Sequence, residues 1–80
     1  MILRGDNGMV GVVIDRFGKD IPLVAVDDGH FEARVDVALS PQFFGWIMAL
    51  GGGVRIAGPE PVVKRMKREI RRLSELYPDP

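Results

Sequence analysis

Apolar and polar positions along the 80-residue chain change period several times, and each change marks an element. Ile2-Leu3-Arg4 opens as a short strand, and Gly5-Asp6-Asn7-Gly8 reads as a turn that offers Asp6 or Asn7 as a helix cap. Met9, Val13 and Phe17 then recur at helical spacing with Val10 and Ile14 beside them, which predicts a helix closed by Gly18. Residues 21–26 form a strand, and Pro22 near its start places it at a sheet edge, because proline cannot donate to a ladder. Asp27-Asp28-Gly29 is a hairpin turn. From His30 to Leu39 the chain alternates: Phe31, Ala33, Val35, Val37 and Leu39 point one way, and the intervening residues point the other.

The most fully marked stretch is Ser40 to Gly53. Ser40 suits an N-cap, Pro41 the first helical position, and three glycines follow Leu50 as a stop. Between them lie Phe43, Phe44, Trp46, Ile47, Met48 and Leu50, with almost no polar side. Such a helix needs cover on most sides, from its own domain and from something else. Val54 to Ala57 is a further short strand with Arg55 on its polar side. The last helix runs from about Pro59 to Tyr77, with Val63, Met66, Ile70, Leu73 and Tyr77 forming one seam.

The order β-α-β-β-α-β plus a final helix predicts an α+β, ferredoxin-like domain spanning residues 1–80. Its sheet would be antiparallel, with strands 1 and 3 in the middle and one open polar face carrying Arg4, Glu32, Arg34, Asp36 and Arg55.

Composition narrows the function by exclusion. One histidine, two serines, and no threonine or cysteine leave little for nucleophilic or metal chemistry, so no enzyme, metal or cofactor is expected. No run approaches the roughly 20 apolar residues of a membrane span, and no signal peptide pattern opens the chain, which predicts a cytoplasmic protein without a membrane partner. Net charge is zero but unevenly divided: residues 1–58 carry five Lys/Arg against seven Asp/Glu, and residues 59–80 carry six against four. That is a basic helix on a weakly acidic body rather than the broad basic footprint of a DNA-binding domain.

Three segments taken together, residues 9–18 (MVGVVIDRFG), 40–47 (SPQFFGWI) and 54–60 (VRIAGPE), resemble the C-terminal extension (WCX) domain of WYL-domain helix-turn-helix transcriptional regulators. The resemblance covers essentially the whole chain. It implies a fragment of a longer regulator whose helix-turn-helix and WYL domains are its partners. It further implies a homodimer and an effector, in some members a short single-stranded nucleic acid. The matching Asp-Arg-Phe-Gly segment makes Arg16, with Lys19 beside it, a candidate for ligand contact; an ion pair with Asp15 or Asp20 is the plainer reading. Arg34 and Arg55 are candidates for an anion platform on the open sheet, against a charge ladder with Glu32 and Asp36. The six cations of Lys64 to Arg72 are either a nucleic-acid surface or a solvated helix face. Phe44, Trp46 and Met48 are the candidate interface residues, with simple core as the alternative for Trp46. A reading from another class also stands: a small-ligand sensor or protein-interaction domain built on the aromatic helix, with no nucleic-acid role.

Overall fold

Four antiparallel strands and three α-helices make up the computed structural model, which describes residues 1–79. Strands β1 (Ile2–Asp6), β2 (Leu23–Ala25), β3 (His30–Arg34) and β4 (Val54–Gly58) form one sheet in the order β2-β3-β1-β4. Helix α1 (Val10–Phe17) joins β1 to β2, α2 (Pro41–Ala49) joins β3 to β4, and α3 (Glu60–Leu76) follows β4. This is the ferredoxin-like order, with β1 and β3 central and β2 at an edge, where Pro22 places it.

Alternation along the central strands separates the two sheet faces. Leu3 lies opposite Ala33 on β3 and Ile56 on β4, and Gly5 lies opposite Phe31 and Val54. These apolar side chains join Val13, Phe43, Phe44 and Ile47 from the helices in one core. On the other face, Arg4 sits between Glu32 and Arg55 on its neighbours.

Two local readings are corrected. Gly5 and Asp6 belong to β1 rather than to a turn, and the chain enters α1 through a single 3-10 turn, Asn7–Met9. Asp6 precedes that turn without a side-chain cap bond; the Asn7 side-chain amide instead donates to the Asp28 carbonyl at 3.0 Å. Gly5 is required by crowding: a Cβ there would lie 2.9 Å from the Phe31 ring and 3.0 Å from the Gly53 carbonyl.

The alternating run from His30 stays a strand only to Arg34. The Arg34 N–H donates to the Pro22 carbonyl at 3.1 Å, and the Val35 N–H to the Met1 carbonyl at 3.0 Å. Past that point neither flanking strand continues, so residues 36–39 have the pattern without a ladder. Val37 and Leu39 still pack against the core, but Asp36 leaves the sheet.

Helix α2 has the ends its sequence marks. The Ser40 hydroxyl accepts from the Phe43 N–H at 3.1 Å, and Gly51 and Gly52 close the helix at φ of 64° and 91°. Phe43, Phe44 and Ile47 are buried, Trp46 and Met48 are half-buried, and Gln42, Gly45 and Ala49 form the outer side.

Helix α3 is attached differently. Val62, Val63 and Met66 pack on the core, but no residue of the helix is fully buried. Further along, Ile70 is 51% exposed and Leu76 63%. A helix of 17 residues is about 25 Å long, in a molecule that measures 43 × 24 × 22 Å.

Candidate functional site

The open sheet face holds two kinds of charge. Near the β2–β3 turn the groups are mutually engaged. The Asp27 carboxylate accepts from the Gly29 N–H at 2.8 Å and from Nδ1–H of His30 at 2.9 Å, and Arg4 Nη2 lies 3.7 Å from it. The other nitrogen of His30 lies 3.4 Å from the Asp6 carboxylate. The Gly29 amide, followed by His30, holds the Asp27 carboxyl below its ordinary value.

Elsewhere on that face the cations stand alone. Among the described residues, neither Arg34 nor Arg55 has a carboxylate within ion-pair distance. The ladder with Glu32 and Asp36 does not form, and the register explains why. Arg4 rather than Arg34 or Arg55 is the residue opposite Glu32; Arg34 faces Ile2, and Asp36 lies off the sheet.

The four candidate ligand residues do not converge. Arg34 lines a shallow cleft of about 500 Å³ with Phe17, Gly18, Asp20, Ile21 and Pro22. Lys19 is exposed in the turn beside that cleft without lining it. Arg55 stands two strands away from Arg34 on β4. Arg16 makes no ion pair with Asp15 or Asp20; its guanidinium lies 5.2 Å over the Trp46 ring.

That contact gives Trp46 three partners. Phe17 meets its ring edge-on at 5.6 Å, and Phe43 stacks on it at 6.2 Å. Trp46 and Met48 keep part of their surface open, while Phe44 is only 2% exposed and has Arg65 over its ring at 5.7 Å. Of the three candidate interface residues, the structure leaves Trp46 and Met48 accessible and covers Phe44.

The largest collection of unpaired positive charge is on α3. Lys64, Arg68 and Arg71 follow one another at i, i+4 and i+7, and with Lys67 and Pro61 they line a surface depression of about 450 Å³. Glu69, the only carboxylate in residues 61–74, is engaged by Arg72. The Arg72 guanidinium holds the Glu69 carboxyl below its ordinary value. Arg65 lies on Phe44, and Lys64, Lys67, Arg68 and Arg71 have no ion pair among the described residues. Only the spacing of these cations in sequence signals that face.

Among the described residues no group of three or more His, Asp or Glu side chains is placed to hold a metal ion. No helix of these residues is long and apolar enough to cross a membrane.

Comparison with known proteins adds one finding. A family model described as the WCX domain matches residues 3–74, nearly the whole chain. Neither a curated protein nor a solved structure matches it.

Proposed function

The chain belongs to the WCX domain family, the C-terminal modules of WYL-type transcriptional regulators, and from this we propose that it serves effector sensing and dimerisation within such a regulator. The family is one of regulators rather than enzymes, so the chemistry to account for is binding. The effector is a short single-stranded nucleic acid, held between this domain and the WYL domain. Its binding biases how the paired DNA-binding domains are arranged. An effector does this only by binding one arrangement more tightly than the other.

The observation that carries the reading is the free cation face of α3. Lys64, Lys67, Arg68 and Arg71 share one side of a helix, and among the described residues no carboxylate lies within ion-pair distance of them. Such a row suits a phosphate backbone, whose binding releases condensed counterions. Arg34 and Arg55 on the open sheet, with Arg16 and Lys19 near the end of α1, supply further positive charge for a ligand that extends beyond the helix. Among the described residues no aromatic ring lies on the open sheet face, since Phe31 points into the core, so the nucleic acid is held by its phosphates rather than by stacked bases on the sheet. For dimerisation, the accessible part of Trp46 and the exposed Leu76 supply apolar area outside the groove between α2, β4 and α3.

The test is light scattering coupled to size exclusion, with and without a short single-stranded DNA, followed by binding isotherms at several salt concentrations. The expected result is a dimer that binds the oligonucleotide with affinity falling steeply as salt rises. Replacing Lys64, Arg68 and Arg71 together with Gln should lower the slope by about 0.7 for each phosphate that is no longer neutralised. Binding that ignores salt, or survives the triple replacement unchanged, overturns the nucleic-acid reading. A monomer at all accessible concentrations overturns the dimer.

A further inference from the structure

A groove of about 360 Å³ runs between α2, β4 and the first half of α3, on a different side of α3 from Lys64, Arg68 and Arg71. Ile56 forms part of its base; Ile47, Met48, Val63 and Met66 wall it, and the half-exposed Ile70 stands at its end. No acidic residue lines it. Its only charged lining residues are Arg55 from β4 and Lys67 from α3. Neither has a carboxylate within ion-pair distance among the described residues.

We infer that this groove is a binding site for a small amphiphile, an apolar body carrying one anionic group. The apolar part would lie on Ile56, Met48 and Met66, and the anion would be held by Arg55 and Lys67, which reach the groove from two different walls. Burial of apolar surface supplies affinity, and the two uncompensated cations select the charge of the ligand.

Size and charge decide between occupants. Small-molecule sites measure about 300 to 1,000 Å³, so this groove falls at the lower end of that range. A second copy is a poor match for its cations: α2 carries no charged residue to meet Arg55 and Lys67, and α3 is net positive and would be repelled by them. Two methionines among the walls suit a flexible hydrocarbon, because their unbranched side chains adapt to its shape.

The test is a titration of the isotopically labelled chain with decanoate, below the concentration at which it forms micelles, and in parallel with the neutral decanol. The expected methyl shifts concentrate on Ile47, Met48, Ile56, Met66 and Ile70, with decanoate binding about tenfold more tightly than decanol. The double variant Arg55→Gln and Lys67→Gln should lose that tenfold preference and still bind decanol. Because both positions are exposed, it should keep the native spectrum elsewhere. Met48→Glu, which sets a carboxylate in the wall, should abolish decanoate binding. Equal affinity for the two probes, or shifts scattered away from the groove, overturns the proposal. So do groove shifts that follow protein concentration with no ligand present, because these would show a second copy occupying it. Lys67 and Arg55 stand in both proposals, so the two are separated by replacing Lys64, Arg68 and Arg71 with Gln: these lie outside the groove, and their loss should weaken oligonucleotide binding and leave decanoate binding unchanged.

Discussion

The Arg16 guanidinium lies 5.2 Å over the ring of Trp46, joining the last turn of α1 to the middle of α2. Such a contact at a partly exposed site contributes about 0.5–1 kcal/mol. Arg16→Gln should lower stability to urea by that amount and shift Trp46 emission, while Arg16→Lys retains part of both. An Arg16→Gln domain as stable as the parent would show that the contact contributes nothing.

Two glycines should respond in opposite directions to alanine. At Gly5 the new Cβ meets the Phe31 ring at 2.9 Å and backbone at 3.0 Å, and overpacking of this kind costs about 1–3 kcal/mol. At Gly45, on the outer side of α2, nothing lies within 4 Å. There, alanine should stabilise by about 0.5–1 kcal/mol through helix propensity alone. Thermal melts of the two variants check both signs.

The Ser40 hydroxyl accepts the Phe43 N–H at 3.1 Å, so Ser40→Ala should cost about 1 kcal/mol, and Ser40→Asp should restore most of it. Equilibrium unfolding of the pair separates the capping bond from any general intolerance at residue 40.

Asp27 sets an acid limit on the β2–β3 turn. The Gly29 N–H, and after it His30, lower its pKa in the folded chain below the ordinary 3.8. A depressed carboxylate pKa contributes stability that is complete above the unfolded value and is lost as pH falls through the folded value. The loss attributable to Asp27 therefore begins near pH 3.8 and completes below it. Carboxyl chemical shifts followed through acid titration should place its midpoint under 3.8, and Gly29→Pro, which removes the donor, should raise it.

The parts of the fold legible in the sequence are those set by neighbours along the chain. Ser40, Pro41 and the glycines after Leu50 mark the ends of α2 because caps and stops act within one turn. Pro22 marks an edge strand because the missing donor is its own. Gly5 looks like a turn residue in its local company, Gly-Asp-Asn-Gly, but what demands a glycine there is Phe31 on the neighbouring strand. The length of β3 is hidden for the same reason: alternation persists to Leu39, but hydrogen-bonding partners stop at Arg34 and Val35. At the candidate site, residue types are visible in the sequence and their company is not. Arg16 finds Trp46 rather than an acid, and Arg34 and Arg55 stay unpaired because the register brings Arg4 to Glu32.

The uneven attachment of α3 has a consequence for how the chain would be cut. Its anchors, Val62, Val63 and Met66, all lie in the first two turns, and past Ile70, at the end of the groove, none of the described helix residues packs on the core. Backbone that opens without disturbing a core is where proteases act first. The exposed Arg71 and Arg72 are trypsin sites in that outlying length. Brief digestion should release the segment bearing Leu76 and Tyr77 and leave the sheet, α1 and α2 intact as a resistant fragment.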